Sequence, residues 1–335
     1  MSTATRITSP APRRRRPADL VARRPLAAYF TMSYALTWLA WTPYILSETG
    51  LGVLPLRFPE VLGSSQTLGL LPGAYLGPVT SAFVVTAVAG GRPALRRWAG
   101  RLVRWRIGVG WYLWVLSVVP VVAVVATLPL AGAWTDLRLP AGTVLVGYLP
   151  MLVLQFLTTG VAEEPGWRDF AQPRLQARYG PLGGSLVLGP LWGAWHLPLF
   201  FSEWAGWPNV NWLMAAEFVG AAVLLSIVMT WLFNRTGESL PLVMLFHANI
   251  NTVSSLLWPA MFPSLDAFGD SLHALAIGAG GGAVLLLVVT RGRLGYRPDA
   301  GAPAAGGPAD LPDPPDRGSV SSSAAGRAGS ARAAR

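Results

Sequence analysis

Cysteine and lysine are both absent from the 335 residues, and histidine occurs only three times. Without cysteine there is no disulfide, no thiolate nucleophile and no thiolate-ligated metal. Three imidazoles leave few nitrogen ligands for any metal site. Charged side chains are scarce, 13% against the roughly 25% of soluble domains. That excludes a soluble globular enzyme and a charge-rich disordered chain. Also missing are Gly-x-Ser-x-Gly, the elbow of many serine hydrolases, and His-Glu-x-x-His, the helix of the common zinc proteases. All 26 basic residues are arginine, which alongside abundant Ala, Gly and Pro reflects a GC-rich gene more than a need for guanidinium. What is present is apolar: 52% hydrophobic residues, 15 Trp and a mean hydropathy of +0.44.

A membrane-spanning helix needs about 20 mostly apolar residues. Eight stretches qualify: Leu26–Leu46, Leu68–Gly90, Trp111–Ala131, Leu145–Ala162, Leu182–Phe201, Trp212–Phe233, Leu240–Ala260 and Leu272–Thr290. The sequence therefore predicts an all-α polytopic membrane protein of about eight transmembrane helices. Cytoplasmic loops collect arginine. With the N-terminus inside, the inner segments hold Arg6 through Arg24, Arg92, Arg96, Arg97, Arg101, Arg104, Arg106, Arg168, Arg174, Arg178, Arg235, Arg291, Arg293 and Arg297, and the outer loops hold only Arg57 and Arg138. This asymmetry predicts a multi-pass protein of the cell membrane with both termini cytoplasmic. The first apolar stretch is too long for a signal peptide and lacks a clear small-residue cleavage site, so it reads as a retained span.

The chain divides into three parts: a disordered basic cytoplasmic arm over 1–24, an eight-span membrane domain over 25–297, and a disordered Pro/Ala/Gly/Ser-rich cytoplasmic tail over 298–335. The Arg13–Arg16 run reads as a topology signal touching anionic lipid rather than a nucleic-acid site. Trp38, Trp41, Trp111, Trp204, Trp207 and Trp212 lie near span ends, as interfacial anchors do. Arg168–Arg178 reads as a short amphipathic helix or loop at the cytoplasmic surface.

Ionisable residues within apolar spans are costly and usually functional. Here they gather in three places: Glu163-Glu164-Pro165-Gly166-Trp167-Arg168, Trp192-Gly193-Ala194-Trp195-His196, and His247-Ala248-Asn249-Ile250-Asn251. Glu164 and Arg168 are four residues apart and share a helical face, while Glu163 points about 100° away. One carboxylate can thus pair with Arg168 and the other face the bundle, although Pro165 removes a donor and disturbs this turn. Trp192 shares the face of His196, and His247 shares that of Asn251. Asn249 points elsewhere, as interhelical glue does. Peptide hydrolysis needs an activated water and donors for the oxyanion. Glu163, His196, His247 and Asn251 contain each of these parts. A two-His-one-carboxylate zinc set, Glu163, His196 and His247, stays open alongside the metal-free reading, which expects no cofactor.

Glu-Glu-x-x-x-Arg, an aromatic-x-x-x-His and His-x-x-x-Asn, each on its own span, resemble the CPBP family of type II CAAX prenyl proteases and bacteriocin-processing or immunity proteins. The resemblance covers roughly 153–258. It implies a helix-bundle site open toward the cytoplasm and an intramembrane endopeptidase acting on a membrane-associated or lipidated peptide or protein. In that resemblance Glu163 is the catalytic base, Glu164 and Arg168 support it, His196 holds the water, and His247 with Asn251 completes the site and binds the oxyanion. The family has been described as both glutamate-type and metal-dependent. Two positions depart from its usual pattern: Trp192 stands where Phe is usual, and Asp169 where Gly often follows the arginine. Two other readings compete, a non-catalytic membrane scaffold or immunity protein and a proton-coupled transporter. The partners expected are the lipid bilayer and a membrane-bound substrate, with no nucleic acid. Glu217 has no evident role.

Overall fold

Proline and glycine punctuate the apolar stretches, and mostly they bend helices instead of ending them. The computed structural model describes residues 17–61 and 64–297. In chain order the helices are α1 (Pro17–Arg23), α2 (Pro25–Leu46), α3 (Gln66–Ala74), α4 (Thr80–Arg101), α5 (Val109–Thr127), α6 (Ala133–Asp136), α7 (Gly142–Gln155), α8 (Val161–Glu164), α9 (Gln172–Trp195), α10 (Trp212–Arg235), α11 (Leu240–Thr252), α12 (Trp258–Met261) and α13 (Gly269–Thr290). π-helical segments at Tyr75–Val79, Phe156–Gly160, Pro165–Ala171 and Val253–Leu257 join α3 to α4, α7 to α8, α8 to α9 and α11 to α12. No strand occurs among the described residues beyond one bridge between Val61 and Ser64.

Six helical runs among the described residues are long and apolar enough to cross a membrane: Gln66–Arg101, Val109–Thr127, Gly142–Phe201, Trp212–Arg235, Leu240–Met261 and Gly269–Thr290. The protein is thus a polytopic helical membrane protein. The Gly142–Phe201 run contains two of the eight expected stretches, separated at Gly180, whose φ of 73° only glycine adopts readily. The first expected stretch is α2, a 22-residue helix that is not one of those six runs.

Side chains are sorted as a bilayer requires. Leu113 and Val125 of α5, Val146 and Leu149 of α7, and Val284, Leu285 and Val288 of α13 point outward, where acyl chains can cover them. Glu163, Glu164, Arg168, His196 and His247 are buried. α10 packs against both α9 and α13. Its contact with α9 is close because Gly189 and Gly193 lie on the α9 face: a Cβ on Gly193 would sit 2.8 Å from the Val219 Cα. Small residues four apart allow such backbone approach between membrane helices. Asn211 caps α10 by accepting from the Leu213 N–H at 3.0 Å.

Three expectations change. The last residues of the basic arm, Pro17–Arg23, form a helix packed on α4. The Arg13–Arg16 run and the tail lie outside the described residues. Most of Arg168–Arg178 is not at the surface: Arg168, Asp169, Phe170, Gln172, Leu175 and Gln176 are buried and only its end, Ala177 and Arg178, is exposed, because helix continues from Glu164 through the π segment beneath α4 and α11. Trp41 is no interfacial anchor. It is 1% exposed and donates from Nε1 to the Leu70 carbonyl at 2.8 Å.

Candidate active site

Two π segments bracket the first polar cluster. Phe156–Gly160 precedes α8 and Pro165–Ala171 comes directly after it. Pro165 lacks the N–H an α-helix would use, and the wider π turn absorbs that loss without breaking the chain direction. Glu163 and Glu164 therefore stay helical and project in different directions.

Glu164 is the carboxylate that pairs with Arg168. Its Oε2 lies 3.2 Å from Arg168 Nε, with both side chains fully buried. Its Oε1 accepts from His247 Nδ1 at 2.7 Å. The arginine is held further by donation from its terminal nitrogens to Ser226 Oγ and Met229 Sδ of α10, each at 3.2 Å. Its Cζ lies 4.7 Å from the Trp192 ring centre, a cation–π distance. Glu163 turns toward α9 instead, where Oε2 accepts from Trp192 Nε1 at 2.9 Å.

His196 closes α9. Its Nδ1 lies 3.0 Å from the Trp192 carbonyl. A carbonyl only accepts, so Nδ1 carries the proton and a neutral ring leaves Nε2 as the lone pair. Trp195, Phe218 and Trp204 surround this ring, with centres 4.6, 5.0 and 6.0 Å away. His247 Nδ1 likewise carries a proton, because it faces the Glu164 carboxylate. Its ring stands at 89° to Trp192, 5.3 Å between centres.

Trp192 and its neighbours thus connect Glu163, Glu164, Arg168, His196 and His247 in one buried cluster. Asn251 is not drawn into it: the half-buried side chain makes no hydrogen bond among the described residues. Asn249 is the interhelical link that its face predicts, receiving a short hydrogen bond from Tyr148 and donating to the Val115 carbonyl at 2.9 Å. Glu217 accepts from His273 Nδ1 at 2.7 Å, joining α10 to α13 away from the cluster.

Ligand atoms of Glu163, Glu164 and His247 lie within 4.8 Å of one another; His196 is not in that group. The zinc set open to the sequence combines both histidines with Glu163 instead. The closest trio suits a metal poorly. His247 Nδ1 bears a proton shared with Glu164, and Glu164 is already neutralised by a buried guanidinium.

The sequence did not foresee the donation from Trp192 to Glu163, or the α10 side chains that seat Arg168. It also did not foresee the partner of Asp169. That fully buried carboxylate pairs with Arg101 at the end of α4, and Arg101 also lies 3.7 Å from Glu238. The only available signal was the pair of departures from the family pattern, Trp192 and Asp169, and both prove to form contacts.

A glutamate–histidine cluster buried in a polytopic helical bundle defines a membrane-embedded site for polar chemistry. Residues 144–253 match the family model described as Type II CAAX prenyl endopeptidase Rce1-like, and all six expected site residues lie within that span. The chain is also 23% identical over 243 residues to the protein named CAAX prenyl protease 2 of Methanococcus maripaludis, covering 68% of this chain and 83% of that one. With the three motifs in order, these matches support the resemblance to the CPBP family and the reading of an intramembrane endopeptidase. They do not favour the scaffold or transporter readings.

Proposed function

We propose that this protein hydrolyses a peptide bond in a prenylated or otherwise membrane-associated protein, using water activated by Glu163. The observation that carries the reading is the state of Glu163: a buried carboxylate with one oxygen held by Trp192 and the other without a hydrogen bond among the described residues. A base held at one oxygen and free at the other is oriented for a water. His196 lies one turn from Trp192 and offers Nε2 to the same water. Attack on the scissile carbonyl transfers the water proton to Glu163 and forms a tetrahedral oxyanion. Asn251, whose amide is uncommitted, and His247 in its imidazolium form supply donors for it. Protonated His247 and Arg168 together offset the charges of Glu163 and Glu164, which keeps the buried cluster near neutral. Collapse of the intermediate returns the proton to the leaving amine.

The reading is metal-free, supported by the donor chemistry of the cluster, in which Arg168 supplies the positive charge. The arginine asymmetry supports cytoplasmic termini and substrate entry from that side. The test compares peptide termini by mass spectrometry in membranes holding equal amounts of wild type, Glu163→Gln and His247→Ala. New termini confined to the wild type are expected, and identical termini in all three would overturn the reading.

A further inference from the structure

Trp192 touches four members of the cluster. Its Nε1 donates to Glu163 Oε2 at 2.9 Å, its carbonyl accepts from His196 Nδ1 at 3.0 Å, and its ring lies 4.7 Å from Arg168 Cζ and 5.3 Å from the His247 ring. Phenylalanine, usual at this position in the family pattern, would keep an aromatic ring and the carbonyl. It has no N–H. Glu163 would then lose its hydrogen bond while the backbone carbonyl that holds His196 remained.

We propose that Trp192 is a positioning residue that selects which oxygen of Glu163 acts as the base. This rests on the endopeptidase reading above. With Oε2 held by the indole, the carboxylate plane is fixed and Oε1 is the oxygen presented to water. The carbonyl of the same residue fixes the His196 tautomer, so one residue sets the orientation of both groups that meet the water. The scaffold beneath Trp192 is stiff. Gly189 and Gly193 flank it and bring α9 against α10, where a Cβ on Gly189 would lie 2.5 Å from the Val223 Cα. Trp192 itself is 4% exposed. Packed against the Arg168 guanidinium and the His247 ring, the indole has little room to swing away. A hydrogen bond to a charged acceptor is among the stronger neutral-donor interactions, and misorientation of a base by about an ångström slows chemistry on the order of a hundredfold.

The test replaces Trp192 with Phe, and separately with benzothienyl-alanine, in which sulfur takes the place of the indole N–H at nearly the same size. Purified full-length protein in lipid nanodiscs is assayed on the substrate identified by the termini comparison. Both variants are expected to lose about ten- to a hundredfold in kcat, with KM within about threefold; the smaller phenylalanine also lowers the melting temperature through the cavity it leaves, whereas the nearly isosteric benzothienyl variant melts within a few degrees of the wild type, so the kcat loss is read from it. Unchanged kcat in the benzothienyl variant would overturn the proposal; equal loss of folding and activity in both variants would make Trp192 a packing residue only. A second readout needs no activity. In protein carrying 15N-indole tryptophan, the Trp192 resonance, assigned by its disappearance in Trp192→Phe, should shift markedly in Glu163→Gln. If the wild type proves inactive but this shift appears, the contact stands and the endopeptidase reading fails. If the resonance ignores Glu163→Gln, the contact itself is absent.

Discussion

The ion pair between Arg101 and Asp169 fixes the register between α4 and the segment carrying Glu164 and Arg168, so removing Arg101 should be costly. Asp169 is fully buried and Arg101 only 17% exposed. A second Arg101 nitrogen donates to the Asp169 backbone carbonyl at 3.3 Å. Two charges in contact at about 3 Å and an effective dielectric of about 20 attract by roughly 5 kcal/mol. Removing one partner of a buried pair costs about 3–5 kcal/mol, because the other is left uncompensated. The partial exposure of Arg101 favours the lower end, about 3 kcal/mol. For Arg101→Ala that corresponds to a fall in melting temperature of about 6–9 °C, at roughly 2–3 °C per kcal/mol for a large domain. The assay is thermal unfolding in detergent followed by tryptophan fluorescence. Replacing both residues with leucine should recover most of the loss, since an apolar pair can substitute for a buried ion pair. If Arg101→Ala melts within about 1 °C of the wild type, the pair is hydrated and worth no more than a surface bridge, and the register argument fails.

Three further outcomes are expected from the contacts. Gly193→Leu should force α9 from α10, costing on the order of 3 kcal/mol or more through overpacking against the Val219 backbone, and should reduce activity with it; an unchanged melting temperature would show that the helices separate freely. Trp258→Phe should lose the bond from Nε1 to Thr127 Oγ1 at 2.8 Å and cost about 1–2 kcal/mol without changing kcat, checked by paired melting and activity measurements. Glu217→Gln should cost less than about 1 kcal/mol and leave activity intact, since Glu217 and His273 are 28% and 44% exposed; loss of peptidase activity would move Glu217 into the working site.

The chain's class and the polar residues that gather in the bundle were legible because both are local properties. Hydropathy over about 20 residues marks a span wherever it folds, and four-residue spacing puts Glu164 beside Arg168 before any tertiary contact forms. Contacts between spans were not legible, because they depend on the rotation of each helix about its axis. Each π turn inserts a residue and rotates the downstream helix by about 100°. Four such segments occur among the described residues, and two of them flank Glu163 and Glu164. Periodicity carried across Pro165 with a constant α-helical phase therefore places Asp169 and Gln176 wrongly, and the stretch from Arg168 looks like a surface helix when its residues through Gln176 are mostly buried. The same limit explains Trp192. Spacing along α9 shows that it shares a face with His196, but the donation to Glu163 depends on how closely α9 meets α8, which the paired glycines and the π turns set together. Polar residues in apolar spans thus announce a site, while the partner of each is fixed by the irregular turns that let those residues converge.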